Sequence, residues 1–114
     1  LPGGMPGSSN LRESDAVIPL VQKIFHNGAC VAALCAAPIV LGKAGILKGK
    51  RATCFPGNEK DLEGAFYTGA YVETDGKVIT GKGAGTSMLF ALDIVTLLAG
   101  REKADELRKR MQVP

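Results

Sequence analysis

Three cysteines and a single histidine are the side chains of this 114-residue chain best suited to nucleophilic or metal chemistry. Of these, Cys35 is set apart by its neighbours, Val31-Ala32-Ala33-Leu34-Cys35-Ala36-Ala37-Pro38. Val31–Leu34 is a short apolar run, the pattern of a strand covered on both faces. Pro38 cannot continue a strand ladder, but it suits the first turn of a helix, where its missing N–H costs nothing. A thiol between the two, flanked by Ala36 and Ala37, has the surroundings of a nucleophile elbow, because a sharp, strained turn that presents a side chain tolerates only small neighbours. The helix that follows would point its unpaired N–H groups and positive dipole end at the sulfur, which favours a reactive thiolate. The competing reading is a small core residue, the usual place of a free cysteine in an apolar run.

The remaining candidates are weaker. His26 closes the helix that feeds the N-terminal end of the strand, whereas Cys35 follows its C-terminal end. Six strand residues at about 3.3 Å each separate them by roughly 20 Å, beyond hydrogen-bond reach. His26 is therefore expected at a surface helix terminus, and the residue after the thiol is Ala36, not a second histidine. Cys30 lies five residues from Cys35 on or beside the same strand, so the two face opposite sides of a sheet. Cys54 adjoins Phe55 elsewhere. With no Cys-x-x-Cys and no histidine pair, a zinc site has no ligand set, and Cys30 and Cys54 are expected in the core. Gly81-Lys82-Gly83-Ala84-Gly85-Thr86 invites comparison with a phosphate loop, but it lacks the four-residue gap and the Gly-Lys-Ser/Thr ending of a Walker A motif. It reads as a turn packed near the same edge as Cys35.

Around these residues the spacing predicts strands alternating with helices, hence a parallel sheet between helical layers. Residues 1–10 are loop by composition, rich in glycine, proline and serine. Ser14 or Asp15 caps a helix carrying Val17, Ile18, Val21, Ile24 and Phe25, closed by Asn27-Gly28. Ala29–Leu34 is the strand before the thiol, and Ala36–Lys43 the short helix after it. Lys50–Phe55 reads as a strand stopped by Pro56-Gly57, and Glu59–Gly64 as a helical turn. Asp75-Gly76 joins Tyr71–Thr74 and Lys77–Thr80 in a hairpin. Thr86–Leu98 is apolar around most of its surface and is expected to be largely buried. Gly100 closes that helix, and Arg101–Gln112 is a charged, solvated helix with Glu106–Arg110 as an i,i+4 pair. In open α/β sheets, sites form beyond the C-terminal ends of the strands, so Gly3-Gly4 and Cys35 should converge there.

The totals bound the class. The chain is at most one small domain, 46% hydrophobic, with 15 glycines and no tryptophan. Its net charge of +3 comes from dispersed residues without a basic, aromatic-interleaved face, so nucleic acid is not an expected partner. No apolar run reaches the ~18 residues of a membrane span. Three cysteines make no disulfide framework, and thiols kept reduced in the cytoplasm are the simpler reading. The chain opens on Leu1-Pro2-Gly3-Gly4, an apolar residue and turn of the kind that closes a strand. This predicts residues 1–114 to be the C-terminal part of a single domain, accompanied by an N-terminal polypeptide.

Leu1-Pro2-Gly3-Gly4 with Asn10-Leu11, Val31–Pro38, and Gly83-Ala84-Gly85-Thr86-Ser87 with Phe90-Ala91-Leu92 together resemble the ThiJ/PfpI superfamily, in the branch of the Parkinson-disease-associated protein deglycase and its bacterial relatives. The resemblance runs over essentially the whole chain and keeps the spacing from Gly4 to Cys35. It implies an α/β, flavodoxin-like three-layer sandwich with a mainly parallel sheet, incomplete without an N-terminal segment, and a homodimer without cofactor or metal. It makes Cys35 the nucleophile, the backbone N–H groups of Gly4 and Ala36 an anion hole, and Gly3, Phe55, Gly83 and Thr86 the pocket lining. An acidic partner of the thiol would lie in the N-terminal third, outside these residues. Phe55 stands where many members have histidine, which argues against histidine-assisted chemistry, and Ala36 where peptidase-like members have one, which argues against peptidase activity; a peptidase or amidotransferase is the less favoured alternative. Older labels in thiazole monophosphate biosynthesis find no support in these residues. Two functions follow from the resemblance: a glyoxalase or deglycase acting on small dicarbonyls or their protein adducts, or a redox sensor or chaperone working through Cys35 oxidation.

Overall fold

A computed structural model describes residues 1–114. Its elements are α1 (Gly7–Arg12), α2 (Val17–His26), β1 (Val31–Leu34), α3 (Pro38–Lys43), β2 (Arg51–Ala52), β3 (Phe66–Tyr67), β4 (Val72–Asp75), β5 (Val78–Gly81), α4 (Ser87–Ala99) and α5 (Arg101–Arg110). The expected mainly parallel, flavodoxin-like sheet is not what forms. There are two sheets: a mixed three-stranded one in the order β1-β5-β4, and a separate two-stranded one, β2-β3. β1 runs parallel to β5, with Val31 opposite Val78 and Leu34 opposite Gly81. β5 runs antiparallel to β4, with Asp75 opposite Val78.

Local chemistry accounts for the departure. The two-residue turn falls at Gly76-Lys77, one residue on from the expected Asp75-Gly76, and with Gly76 at φ 61° it reverses the chain and sets an antiparallel neighbour onto β5. β2 ends after Ala52, because the next N–H, that of Thr53, donates to the Thr80 side-chain Oγ1 at 2.9 Å instead of a strand carbonyl. The Thr53 hydroxyl in turn donates to the Ala70 carbonyl at 2.7 Å. A buried pair of threonines thus joins the two sheets where a continuous ladder was expected. β3 is a further correction: its two residues pair with β2 but are too few to show a strand period.

The core lies between β1, α3 and β2. It gathers Val21, Val31, Ala33, Ala37, Leu41, Leu47, Ala52, Cys54, Leu62 and Val78, among others. α3 is buried along Pro38–Gly42, and Leu41 and Leu47 are wholly covered; burying each is worth about 2–3 kcal/mol. Gly42 lets α3 lie directly on the backbone of Asp61, where a Cβ would collide with its carbonyl oxygen. α2 forms as expected. The Ser14 hydroxyl accepts from the N–H groups of Ala16 and Val17 at 3.3 and 3.2 Å, and Gly28 takes φ 84° just past the helix end.

Two more expectations are corrected. Residues 7–12, expected within or just after a loop, form α1, which packs on α3 with Ser8 buried and ties to the 59–61 turn through Arg12–Asp61 at 3.6 Å. Tertiary packing there outweighs poor local propensity. α4 is not largely buried. Only Leu92 is fully covered, while Met88, Leu97 and Leu98 are exposed, because the sheet and α5 cover one side of the helix. α5 is solvated as expected, with Glu106–Arg110 at 3.5 Å. No helix is long and apolar enough to cross a membrane.

Candidate functional site

β1 delivers Cys35 to its C-terminal end, and the residue turns sharply there. Cys35 adopts φ 64°, a left-handed conformation that costs a non-glycine residue about 1–3 kcal/mol and persists only where neighbours hold it. Both of its peptide groups are held. Its N–H donates to the Gly81 carbonyl at 2.9 Å, and its carbonyl accepts from the Phe55 N–H at 2.8 Å. The thiol is free and partly exposed. Ala36, Ala37 and Pro38 behind it are buried, so the small side chains fill a tight turn and Pro38 starts α3 as the spacing predicts.

Of the glycine pair, Gly3 packs against the elbow. Leu1 lies along the free edge of β1, its N–H donating to the Ala32 carbonyl at 2.7 Å and its carbonyl accepting from the Leu34 N–H at 3.3 Å. This docking carries Gly3 against the elbow: a Cβ on Gly3 would stand 2.7 Å from the Cys35 Cβ and 2.9 Å from the Leu34 carbonyl oxygen. No side chain fits between them. Gly4 turns away at φ 92°. The N–H groups of Gly4 and Ala36 donate to no carbonyl, although Ala36 is only 4% exposed. A buried N–H without a partner is rare, and next to a thiol it offers a ready donor to negative charge.

Phe55 and Gly83 complete the same edge. The Phe55 ring is half-exposed, and its Cδ2 lies 3.7 Å from the Cβ position of Gly83. Thr86 does different work from a lining residue. Its hydroxyl donates to the Gly83 carbonyl at 2.9 Å and accepts from the Gly83 N–H at 3.3 Å, closing the glycine-rich turn that places Gly83. Gly81 at its start is the acceptor that secures Cys35. The sequence reading missed this support and the Phe55 N–H clamp, and a glycine directly at a strand end was the one available signal.

The other candidates fall elsewhere. His26 is exposed at the α2 terminus, its ring edge-on to Phe25. Cys54 is wholly buried as expected, and burial with Glu59 nearby pushes its thiol up to about 11. Cys30 is only partly buried, less enclosed than a core residue; burial raises its pKa while Lys77 opposes the shift. No three His, Cys, Asp or Glu side chains group in a metal-holding arrangement. A surface depression of about 200 Å³ is lined by Arg12, Lys43, Lys60 and Asp61 and does not include the thiol.

Known proteins resemble this chain in sequence and fold. Residues 1–97 match the model of the DJ-1/PfpI family. Protein dj-1beta of Drosophila melanogaster is 40% identical over 115 residues, covering 99% of this chain and 62% of that protein. Its crystal structure superposes with a TM-score of 0.87 at 38% identity, covering 98% of this chain and 61% of that one. A Caenorhabditis elegans relative named glutathione-independent glyoxalase DJR-1.2 is 40% identical over 111 residues, covering 96% of this chain and 59% of that protein. The structure of Toxoplasma gondii DJ-1, described as oxidized, has a TM-score of 0.88 at 28% identity, covering 96% of this chain and 60% of that one. The chain spans less than two thirds of the length of these relatives. With the match extending over most of its length and through the strand, elbow and glycine pair that surround Cys35, the chain belongs to the DJ-1/PfpI family.

Proposed function

We propose that this chain carries the nucleophile of a cysteine-dependent, cofactor-independent stress-protection enzyme that detoxifies small dicarbonyls such as methylglyoxal or releases their early protein adducts. One observation carries the reading: Cys35 is held at φ 64° with Gly3 packed against it, and the next N–H groups along the chain from each, those of Ala36 and Gly4, donate to no carbonyl. The Cys35 thiolate adds to the aldehyde carbon of R–CO–CHO, and the oxyanion that forms sits on those N–H groups, each worth about 10²–10³ in rate where such donors have been removed. The aldehyde hydrogen then leaves as a proton and returns at the neighbouring carbon, giving a thioester of the 2-hydroxy acid. Water cleaves the thioester, releasing R–CH(OH)–COO⁻ and a proton and restoring the thiol. The sum is dicarbonyl plus water to hydroxy acid, with no external oxidant or reductant. The name of the Caenorhabditis elegans relative supports this direction.

The proton needs a shuttle, and we assign it to an acidic group in an N-terminal segment of the same protein, beyond the shared part of the longer relatives. The working unit is taken to be a homodimer in the cytoplasm, where the free thiols stay reduced. A second reading rests on the same two N–H groups: they would hold the oxygens of a Cys35 sulfinate as well as an oxyanion, and a relative has been described in an oxidized form. Methylglyoxal consumption by a Cys35→Ser variant of the full-length protein separates the two. Loss of turnover by at least about 10³-fold is expected. Unchanged turnover refutes the covalent route, and lost peroxide protection with no turnover in either form supports the sensor.

A further inference from the structure

Phe55 is a large apolar residue whose backbone the fold bonds to Cys35, and its side chain is 51% exposed. Exposed apolar residues are ordinary when scattered, but this one is neither scattered nor loosely held. Its N–H is committed to the Cys35 carbonyl at 2.8 Å, and its carbonyl accepts from the Asn58 N–H at 3.2 Å. Pro56 follows, fixing the next φ. The ring is therefore carried on a backbone clamped at both peptide groups, one clamp being the nucleophile's own carbonyl. On its flank stands Gly83, whose missing side chain leaves the ring edge uncovered at 3.7 Å from the Cβ position. Thr86 holds that glycine in place through both of its backbone polar groups.

A half-open phenyl ring on a backbone hydrogen-bonded to the nucleophile's own residue is a contact surface for an apolar group on the substrate. It can accept no proton and offers no hydrogen bond, so it contributes nothing to the thiol's chemistry. It contributes shape. A flat substituent gains from stacking or edge contact at centroid separations of about 4.5–7 Å, which a methyl group is too small to exploit. We propose that Phe55 selects dicarbonyls whose ketone carries an aryl or comparably bulky apolar substituent over those carrying a methyl group. This rests on the reading of Cys35 as the nucleophile toward dicarbonyls, and it adds the substituent that the site prefers.

The test measures kcat/KM for phenylglyoxal and for methylglyoxal with the full-length protein, and reads only their ratio, so that the intrinsic reactivity of each aldehyde cancels between variants. Phe55→Tyr keeps the ring and is expected to keep the ratio. Phe55→Ala is expected to lower it about tenfold or more, within the range that loss of an apolar contact supplies, chiefly through KM for phenylglyoxal. Phe55→Leu, which retains bulk without a flat face, is expected to fall between the two and stands in should the alanine variant not fold. An unchanged ratio in Phe55→Ala or Phe55→Leu overturns the proposal. Cys35→Ser distinguishes the two failures: an inactive Cys35→Ser with an unchanged Phe55→Ala ratio rejects the role of Phe55 alone, whereas an active Cys35→Ser rejects the nucleophile as well.

Discussion

Replacing Gly3 by alanine adds one methyl group at the place where the chain approaches its own nucleophile most closely. The new Cβ would lie 2.7 Å from the Cys35 Cβ and 2.9 Å from the Leu34 carbonyl oxygen. Relaxed carbon–carbon contacts begin near 3.5 Å, so something must move by roughly 0.8 Å. Neither neighbour yields easily. The Leu34 carbonyl is part of β1, and Cys35 is pinned through Gly81 and Phe55. Overpacking of this kind costs about 1–3 kcal/mol, and displacement of a reacting group by about 1 Å costs on the order of 10²-fold in rate. The full-length Gly3→Ala protein should therefore lose several degrees of thermal stability and about 10²-fold in Cys35-dependent turnover, with slowed alkylation of that thiol by iodoacetamide. Gly7→Ala is the control, since a Cβ there meets nothing within 4 Å and alanine favours the helix by about 1 kcal/mol. Wild-type melting, alkylation and turnover in Gly3→Ala would refute the idea that Gly3 shapes the elbow by exclusion.

Two further outcomes follow from buried groups. Thr80→Val removes the acceptor of the Thr53 N–H without changing shape much, and should cost about 1–3 kcal/mol in urea unfolding; a loss under ~0.5 kcal/mol would mean that the inter-sheet pair is replaceable by water. Cys54 is held protonated up to about 11 against an ordinary value of 9.0. Its stabilisation is thus complete below about pH 9, where the unfolded thiol is also neutral, and is lost as pH rises through about 11. Urea midpoints between pH 8.5 and 11.5 should fall by the equivalent of about 1–2 kcal/mol. Cys54→Ala should flatten that limb, and an equally steep limb in the variant would assign it to other groups.

The structure also separates what one-dimensional pattern carries from what packing decides. α2, the hairpin and α5 follow patterns that are complete within a few residues: a hydroxyl before an apolar helical stripe, an Asp-Gly pair between alternating runs, a charged surface with i,i+4 partners. Contacts of that range are visible without a fold. α1 and the exposed face of α4 were not readable in this way. Whether Gly7–Arg12 coils depends on α3 being there to cover Ser8, and whether Leu97 and Leu98 are covered depends on which layers lie above them. The sheet pairing failed for a related reason. Nothing near Thr53 announces that its N–H will meet a side chain 27 residues on rather than a strand.

At the elbow the division is sharpest. By itself the sequence determined the candidate nucleophile: small residues about Cys35 and proline at the next helix start limit what that turn can be. Sterics acting between chain neighbours make it so, and they need no tertiary information. Only the fold decided what holds the turn in its left-handed conformation. Gly81 and Phe55 supply the two peptide partners of Cys35 from strands and loops distant in sequence, Thr86 sets Gly83 beside the Phe55 ring, and the edge of β1 seats Leu1 so that Gly3 arrives at the elbow. Those partnerships are hydrogen bonds and close contacts closed over long loops, so their energy exists only once the chain has already chosen its layers.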